Sequence, residues 1–177
     1  MRNYRIYLVG PMGAGKSTVG RALAYRLGAE LVDLDAEIVH VAGKPIPEIF
    51  AEEGEAGFRE REARALADLA GRDEALVVAT GGGVVLREEN RQLMARSGTT
   101  VYLHAAVDTL LARTRGDSNR PLLQVADPRA QLTQLQAERE PLYREAALTV
   151  ATDGRTPQDV AGEILSRLPA AGDDPVN

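Results

Sequence analysis

A glycine-rich segment directly after an apolar run constrains this 177-residue chain more than any other feature. The run Ile6–Val9 has the β-branched and aromatic residues of a buried strand, and Gly10–Thr18 follows it with the phosphate-binding pattern G-x-x-x-x-G-K-[ST]. Apolar residues then recur at helical spacing until Gly28. The segment therefore has the strand, loop and helix context that this pattern requires, although a glycine-rich turn before an ordinary helix is the simpler alternative.

The residue types in the loop explain how it would bind a nucleoside triphosphate. Glycines let backbone N–H groups turn inward around a phosphate, and the following helix adds partial positive charge at its N-terminus. Lys16 supplies a mobile cation, and Ser17 offers a hydroxyl to Mg²⁺. We expect the nucleotide to contact Gly13, Ala14, Gly15, Lys16, Ser17 and Thr18.

Length and composition narrow the classes of function. The chain is long enough for one well-buried core, and its net charge of −5 leaves no basic footprint for nucleic acid. Cysteine is absent, which excludes disulfides and thiolate chemistry, and aromatic residues make up only 4% of the chain. No apolar segment is long enough to span a bilayer, so we expect a cytoplasmic protein without a membrane partner.

An acidic pair ends the second predicted strand, Glu30–Asp35. Ligands of open parallel sheets bind beyond the carboxyl ends of the strands, and alternation would put Asp33 and Asp35 on one side of an extended chain. One carboxylate could lie near Mg²⁺ while the other accepts a proton from a substrate hydroxyl. Alternatively, Asp35 only caps the next helix, predicted over residues 36–41.

Two further groups of residues allow a structural and a functional interpretation. Arg59 and Glu62 share a face of a predicted helix, so they could be a surface ion pair, or Arg59 could hold a carboxylate bidentately. Gly81, Gly82 and Gly83 follow the third predicted strand, Ala75–Thr80. They predict either close approach of a ligand to the backbone or a sharp turn into the helix over residues 87–97.

A basic segment follows the fourth predicted strand, Thr99–His104. Residues 113–123 combine three arginines with loop-forming residues, and we interpret residues 113–126 as a closing lid that adds positive charge and excludes water. A plain solvated loop is the alternative. Both histidines of the chain are predicted to be structural or solvated.

Five predicted strands alternate with helices along the chain, the fifth over Leu148–Ala151 and the last helix over residues 158–168. This order predicts an α/β fold with a mostly or wholly parallel sheet and helices on both faces. Residues 1–168 are expected to form a single domain, and residues 169–177 a disordered tail. These observations indicate phosphoryl transfer or nucleotide hydrolysis, without identifying an acceptor.

An ordered set of motifs resembles the shikimate kinases, small members of the nucleoside-monophosphate-kinase-like group of P-loop proteins. The resemblance runs from Ile6 to about Leu168. Beyond the phosphate loop, it rests on Asp33–Asp35, Gly57–Arg59, Thr80–Gly83, Arg120–Leu123 and Glu138–Tyr143. It implies a P-loop kinase fold with strand order 2-3-1-4-5, a mobile lid and substrate-binding helices at about residues 36–70. It also implies phosphorylation of the 3-hydroxyl of shikimate by ATP with one Mg²⁺ ion per site, in aromatic amino-acid biosynthesis, by a monomer.

The resemblance also implies roles for individual residues. Asp35 would hold the shikimate hydroxyls and accept the proton of the attacking one, while Arg59 and Arg139 would clamp the carboxylate. The backbone around Gly81, Gly82 and Gly83 would contact the ring hydroxyls. Metal ligands would be Ser17 directly and Asp33 through water. Lys16 and Arg120 would stabilise charge on the transferred group, and Arg113 and Arg155 would lie near the adenine.

Two other functions stay open at this point. A gluconate kinase of the same fold would also bind an anionic polyol, but the ordered arginines and the triple glycine favour shikimate. A nucleotide-binding switch without catalysis would be favoured by loss of Asp35 or of a lid arginine, and the chain retains both.

Overall fold

In the computed structural model, which describes residues 4–115 and 125–169, five strands alternate with seven helices. The strands are β1 (Arg5–Val9), β2 (Glu30–Asp33), β3 (Leu76–Ala79), β4 (Thr99–His104) and β5 (Leu148–Ala151). The helices are α1 (Lys16–Leu27), α2 (Leu34–Ala42), α3 (Ile46–Ala70), α4 (Glu88–Ser97), α5 (Val107–Thr114), α6 (Pro128–Tyr143) and α7 (Pro157–Arg167). A 3₁₀ turn, Val84–Leu86, precedes α4.

The strands pair in the order β2-β3-β1-β4-β5, and every pairing is parallel. This confirms the predicted fold class and strand order. The register aligns the carboxyl ends of neighbouring strands: Asp33 lies opposite Ala79, and Val9 lies opposite Tyr102. The phosphate loop, the acidic end of β2 and the triple glycine therefore meet at one edge of the sheet.

Two hydrophobic layers cover the two faces of the sheet. Alternation sends Ile6 and Leu8 of β1 into one layer and Tyr7 and Val9 into the other. The first layer packs on α1, α5 and α7, whereas the second packs on α2, α3 and α4. Helix α6 belongs to both layers, since its Leu132 packs in the first and its Tyr143 in the second.

The start of α2 differs from the sequence prediction. Helix α2 begins at Leu34, two residues early, because the side chain of Asp33 caps it by accepting a hydrogen bond from the Ala36 N–H at 3.2 Å. Helix α3 consists of two helical segments, and Gly54 breaks the helical backbone between them, with φ of 71° and ψ of −178°.

Part of the predicted lid and all but one residue of the predicted tail lie outside the described residues. The structure describes residues 113–115 and 125–126 of the lid region, so Arg120 and the rest of residues 116–124 receive no structural account. The same holds for residues 170–177. Among the helices of residues 4–115 and 125–169, none is both long and apolar enough to cross a membrane.

Candidate active site

The phosphate loop is a tight backbone turn that its glycines make possible. Gly10, Gly13 and Gly15 have φ of 147°, 81° and 93°, which side-chain-bearing residues rarely adopt. Lys16 begins α1 and donates hydrogen bonds from Nζ back to the Gly10 carbonyl and to the Pro11 carbonyl, the latter at 3.0 Å. The loop thus encloses its own lysine at the N-terminus of α1, where backbone N–H groups and the helix dipole favour an anion.

Ser17 and Asp33 join the loop to the end of β2. The Ser17 hydroxyl donates to Asp33 Oδ2 at 3.1 Å, while Asp33 Oδ1 caps α2. A hydroxyl and a carboxylate are the hard oxygen donors that suit Mg²⁺, so these residues fit the predicted metal. In the described part of the chain, no three His, Asp or Glu side chains cluster to hold a metal. Most ligands of such an ion would therefore be phosphate oxygens and water.

A cavity of about 380 Å³ opens beside the phosphate loop on the face of the sheet that carries α1 and α7. Its polar lining comes from the loop, Thr18, Arg113, Thr152 and Arg155. Arg113 Nη1 donates to the Gly13 carbonyl at 3.0 Å, and Arg155 Nη1 donates to the Ala151 carbonyl at 2.8 Å. Both predicted adenine-side arginines therefore line one cavity continuous with the phosphate loop.

Asp35 occupies the first turn of α2 and not an extended chain. The prediction that alternation places Asp33 and Asp35 on one side of a strand is wrong, because the strand ends at Asp33. The alternative that Asp35 caps the helix is also wrong, since Asp33 fills that position. The helical turn directs the Asp35 carboxylate to Gly81, where a Cβ would lie 3.0 Å from Asp35 Oδ1.

Each residue of the triple glycine faces a different charged side chain. A Cβ on Gly81 would lie 3.0 to 3.1 Å from carboxylate oxygens of Asp35 and Glu62, and one on Gly82 would lie 3.4 Å from Arg139 Nη1. A Cβ on Gly83 would overlap the guanidinium group of Arg59. None of the three glycines is among the residues with positive φ. Close approach of charged side chains, and not the turn geometry, therefore explains glycine at positions 81 and 83, whereas a Cβ at position 82 would make ordinary contacts.

Arg59 and Glu62 form a buried pair, so their interpretation as a surface pair is wrong. Arg59 Nη1 lies 3.1 Å from Glu62 Oε1, and the Glu62 side chain is 0% exposed. Burial raises the pKa of the Glu62 carboxyl to about 7, which the charge and hydrogen bond of Arg59 partly oppose. Among the residues that the structure describes, Glu62 Oε2 has no hydrogen-bond partner, and it lies close to Gly81.

Arg139 and Tyr143 approach the triple glycine from α6. Arg139 is only 4% exposed, and the Tyr143 hydroxyl donates to the Gly82 carbonyl. Burial raises the pKa of the Tyr143 phenol to about 12, against a smaller opposing effect of Arg139, so this phenol is protonated at neutral pH. Arg59 from α3 and Arg139 from α6 thus flank one short backbone segment.

This arrangement supplies two guanidinium groups, two carboxylates and bare backbone within one crevice. Such groups bind a small molecule that carries both a carboxylate and hydroxyl groups. The crevice adjoins the phosphate loop, since a Cβ on Gly82 would lie 3.6 Å from the Met12 backbone nitrogen. A hydroxyl bound near Asp35 would therefore lie beside the transferable end of a bound triphosphate.

Glu62 and Tyr143 are site residues to which the sequence analysis assigned no role. A signal for Glu62 existed, because it is spaced four residues from Phe58 and from Leu66, both buried on the inner face of α3. For Tyr143, no periodicity distinguishes a buried tyrosine with a functional contact from an ordinary core tyrosine.

Comparison with known proteins connects this geometry to characterised families. A family model described as "Shikimate kinase" matches residues 12–169. A shikimate kinase of Halorhodospira halophila is 56% identical over 165 residues, which cover 93% of each chain. A shikimate kinase of Pseudomonas savastanoi is 53% identical over 169 residues, covering 95% of this chain and 96% of the relative. A solved structure, shikimate kinase from Acinetobacter baumannii in complex with shikimate, aligns with a TM-score of 0.90 at 48% identity, covering 94% of this chain and 96% of that one.

Proposed function

The chain belongs to the shikimate kinase family of ATP-dependent kinases, and we propose that the crevice described above performs the family's reaction, phosphorylation of the 3-hydroxyl of shikimate. The observation that carries this proposal is the triple glycine, whose three residues face Asp35 with Glu62, Arg139 and Arg59 in turn. These groups complement a small molecule with a carboxylate and several hydroxyls, and the phosphate loop lies alongside.

In the proposed complex, Arg59 and Arg139 bind the shikimate carboxylate from α3 and α6. Glu62 holds the Arg59 guanidinium through the 3.1 Å ion pair, which leaves other guanidinium N–H groups for the substrate. The Asp35 carboxylate accepts hydrogen bonds from the ring hydroxyls. The backbone of Gly81 and Gly82 exchanges further hydrogen bonds with these hydroxyls. Because these groups are largely buried, the substrate would be fixed in one orientation.

The transfer step follows from this orientation. Asp35 accepts the proton of the 3-hydroxyl, whose oxygen forms a bond to the γ-phosphorus as the bond from that phosphorus to the β–γ bridging oxygen breaks, leaving ADP. Lys16 stabilises the negative charge that spreads over the transferred group. Arg120, which lies outside the described residues, is proposed to add positive charge from the lid.

The nucleotide is proposed to lie in the 380 Å³ cavity, with its phosphates on the loop and its adenine near Arg113 and Arg155. Mg²⁺ would be held by Ser17 directly and by Asp33 through water, and it would neutralise phosphate charge when bound. The Ser17 to Asp33 hydrogen bond keeps both oxygen donors at the loop before the ion arrives.

We further propose a cytoplasmic monomer. Apart from the predicted lid, every residue assigned to ATP or shikimate lies in the described ranges of one chain, so no second copy is needed to complete the crevice. Residues 1–168 are proposed as one catalytic domain, in which residues 36–70 form the substrate-binding part.

The test is ATP-dependent phosphorylation with Mg²⁺, measured for shikimate, gluconate and quinate in parallel. Rapid turnover confined to shikimate is expected. Turnover only with another acceptor would contradict the proposed substrate clamp while retaining the phosphate-loop chemistry. Tight ATP binding without turnover of any acceptor would instead support a nucleotide-dependent switch.

A further inference from the structure

Four polar side chains form a cluster between β4 and α6, which we call the α6 anchor: Tyr102, Gln136, Glu140 and Arg144. Glu140 Oε2 accepts hydrogen bonds from the Tyr102 hydroxyl and from Gln136 Nε2, the latter at 3.0 Å. Glu140 Oε1 lies 2.7 Å from Arg144 Nε. Glu140 therefore has one partner in the preceding helical turn, one in the following turn and one in strand β4.

The α6 anchor spans the part of α6 in which one backbone hydrogen bond is missing. Pro141 lies inside this helix, where it has no N–H to donate to the Ala137 carbonyl. The lost backbone hydrogen bond falls in the turn that carries Arg139. The bonds from Gln136 to Glu140 and from Glu140 to Arg144 run along the helix past this gap, so side chains replace part of what the backbone lacks.

Tyr102 fixes the anchor to the catalytic edge of the sheet. Its ring is 0% exposed and stacks on the Tyr143 ring, with centroids 5.1 Å apart and planes 21° apart. In the sheet register it lies opposite Val9, the residue directly before the phosphate loop. Tyr102 therefore connects β4, the strand paired with the phosphate-loop strand, to Glu140 by a hydrogen bond and to Tyr143 by stacking.

Arg139 directly precedes Glu140 and lies one helical turn before Tyr143, the two residues of α6 that Tyr102 contacts. Tyr143 also donates to the Gly82 carbonyl. Helix α6 passes here from one hydrophobic layer to the other, so layer packing alone leaves its orientation weakly determined. The anchor supplies the contact that determines where Arg139 meets the crevice.

We propose that Tyr102 and Glu140 are positioning residues for the acceptor: through α6 they set the place of Arg139 relative to the phosphate loop. The proposal rests on the proposed function, in which Arg139 binds the shikimate carboxylate. Neither residue needs to touch the substrate. Their effect is on the affinity for the acceptor and not on the affinity for the nucleotide, because no anchor residue lines the nucleotide cavity.

The first experiment measures shikimate binding by calorimetry, without nucleotide, for the wild type, Tyr102→Phe and Tyr7→Phe. Tyr7→Phe is the matched control, since Tyr7 is equally buried in the neighbouring strand but its hydroxyl bonds to Ser97 Oγ at 2.7 Å. Tyr102→Phe keeps the stacked ring and removes only the hydroxyl. We expect its Kd for shikimate to rise about tenfold, a change of the size that coupling between two sites typically causes. Tyr7→Phe should stay within about twofold of the wild type.

A second pair of variants tests Glu140 within α6. Glu140→Ala and Glu138→Ala change the glutamates on either side of Arg139, each bonded to a glutamine four residues earlier at 3.0 Å, but only Glu140 contacts Tyr102. Glu140→Ala should weaken shikimate binding with little change in ATP binding, and Glu138→Ala should change neither. In an Arg139→Ala background, Tyr102→Phe should have almost no further effect on the Kd.

The outcomes separate this proposal from the function on which it rests. If the wild-type protein does not bind shikimate, the proposed function fails. If the wild type binds and Tyr102→Phe binds equally well, the positioning role is refuted, even where the melting temperature falls. Equal losses in affinity for shikimate and ATP would also refute it, because they would indicate a general structural role.

Discussion

Glu62 is a carboxylate with no exposed surface, and its environment contains both signs of charge. Arg59 favours its ionised form, whereas burial and the nearby Asp35 favour the protonated form, and burial has the largest effect on its pKa. Ionised Glu62 holds the Arg59 guanidinium most strongly, so the protonation state of this one residue affects both the stability of the fold and the substrate clamp.

Replacing Glu62 by Gln should remove a pH dependence of stability. The folded-state pKa of about 7 lies above the usual glutamate pKa of 4.5, so the folded protein holds this proton more tightly than the unfolded chain. The stabilisation is complete below pH 4.5 and is lost as pH rises through 7. We compare the free energy of unfolding of the wild type with that of Glu62→Gln at each pH. As pH rises through this window, the wild type should lose at most about 3 kcal/mol relative to the variant.

Urea unfolding of both proteins from pH 5 to pH 8 measures the difference. Glu60→Gln is the control, because Glu60 lies on the same helix but is exposed and pairs only with Arg87 at 3.0 Å among the described contacts. Parallel stability profiles for the wild type and Glu62→Gln would contradict the raised pKa.

Asp35→Asn should abolish turnover without weakening nucleotide binding. Asparagine keeps the shape of the side chain near Gly81 but cannot accept a proton, and general-base catalysis contributes roughly 10²–10⁴-fold to a rate. We expect kcat with shikimate to fall by about that factor while the Kd for ATP stays within about twofold. Glu37→Gln, which changes a carboxylate elsewhere on α2, should retain activity. Near-normal turnover by Asp35→Asn would disprove the proton-accepting role.

For single residues, the sequence predicted which side chains carry the chemistry better than it predicted how buried each side chain is. Lys16, Ser17 and Asp33 lie together as expected because a local pattern defines the loop, and the strand end places the acid beside it. The burial of Glu62 could not be inferred with the same certainty, because a glutamate three residues from an arginine is usually a surface pair. Its burial arises from packing of α3 against the triple glycine, residues distant in sequence.

Among the secondary-structure elements, α3 and the loop after β3 meet at Arg59 and Gly83. Gly83 has φ of −98°, a conformation open to any residue, yet a side chain there would occupy the place of the guanidinium. The overlapping atoms are the far end of a flexible side chain, so the protein can respond by moving Arg59 without unfolding.

Gly83→Ala should accordingly separate binding from stability. We expect the Arg59 guanidinium to be displaced, so that the Kd for shikimate rises about tenfold or more while the free energy of unfolding changes by less than about 1 kcal/mol. Gly71→Ala is the control, since a Cβ there would meet backbone oxygens only at 3.6 to 3.7 Å. Calorimetry and urea unfolding measure the two quantities. A large loss of stability without loss of affinity would show that Gly83 serves the fold alone.

The elements themselves follow from the sequence, while their ends depend on particular contacts. Strand β4 and strand β5 have the predicted bounds because apolar runs there are flanked by clear turns. Helix α2 starts early because Asp33 serves both as its cap and as the partner of Ser17, and no pattern shows which of two aspartates caps. Helix α3 is divided at Gly54, whose φ of 71° and ψ of −178° lie outside the helical region.

For the whole molecule, the two proposed ligand sites adjoin at the carboxyl edge of the sheet but lie toward its opposite faces. The proposed nucleotide cavity lies with α1 and α7, and the proposed acceptor crevice lies with α2, α3 and the 3₁₀ turn. The sequence predicted helices on both faces. It could not show which face of the sheet each helix covers, because the packing of helices is a tertiary property.

The two sites should therefore stabilise the protein independently. Shikimate at about one hundred times its Kd should add about 2.7 kcal/mol to the free energy of unfolding and raise the Tm by several degrees. In Arg59→Ala this increase should disappear, while the increase caused by ATP with Mg²⁺ persists. Thermal denaturation with each ligand tests this, with gluconate as the negative control. Loss of both increases together would contradict separate sites.

The division between the faces of the sheet also has a consequence for the divergence of acceptor specificity. A change of acceptor would require new side chains on α2, α3 and the segment after β3, whereas the strands and the helices on the other face could keep their sequences. Helix α6 is the exception, since it takes part in both layers. A chimaera that receives the α2 to α3 region of a related kinase should therefore adopt the donor's acceptor only when α6 is transferred with it.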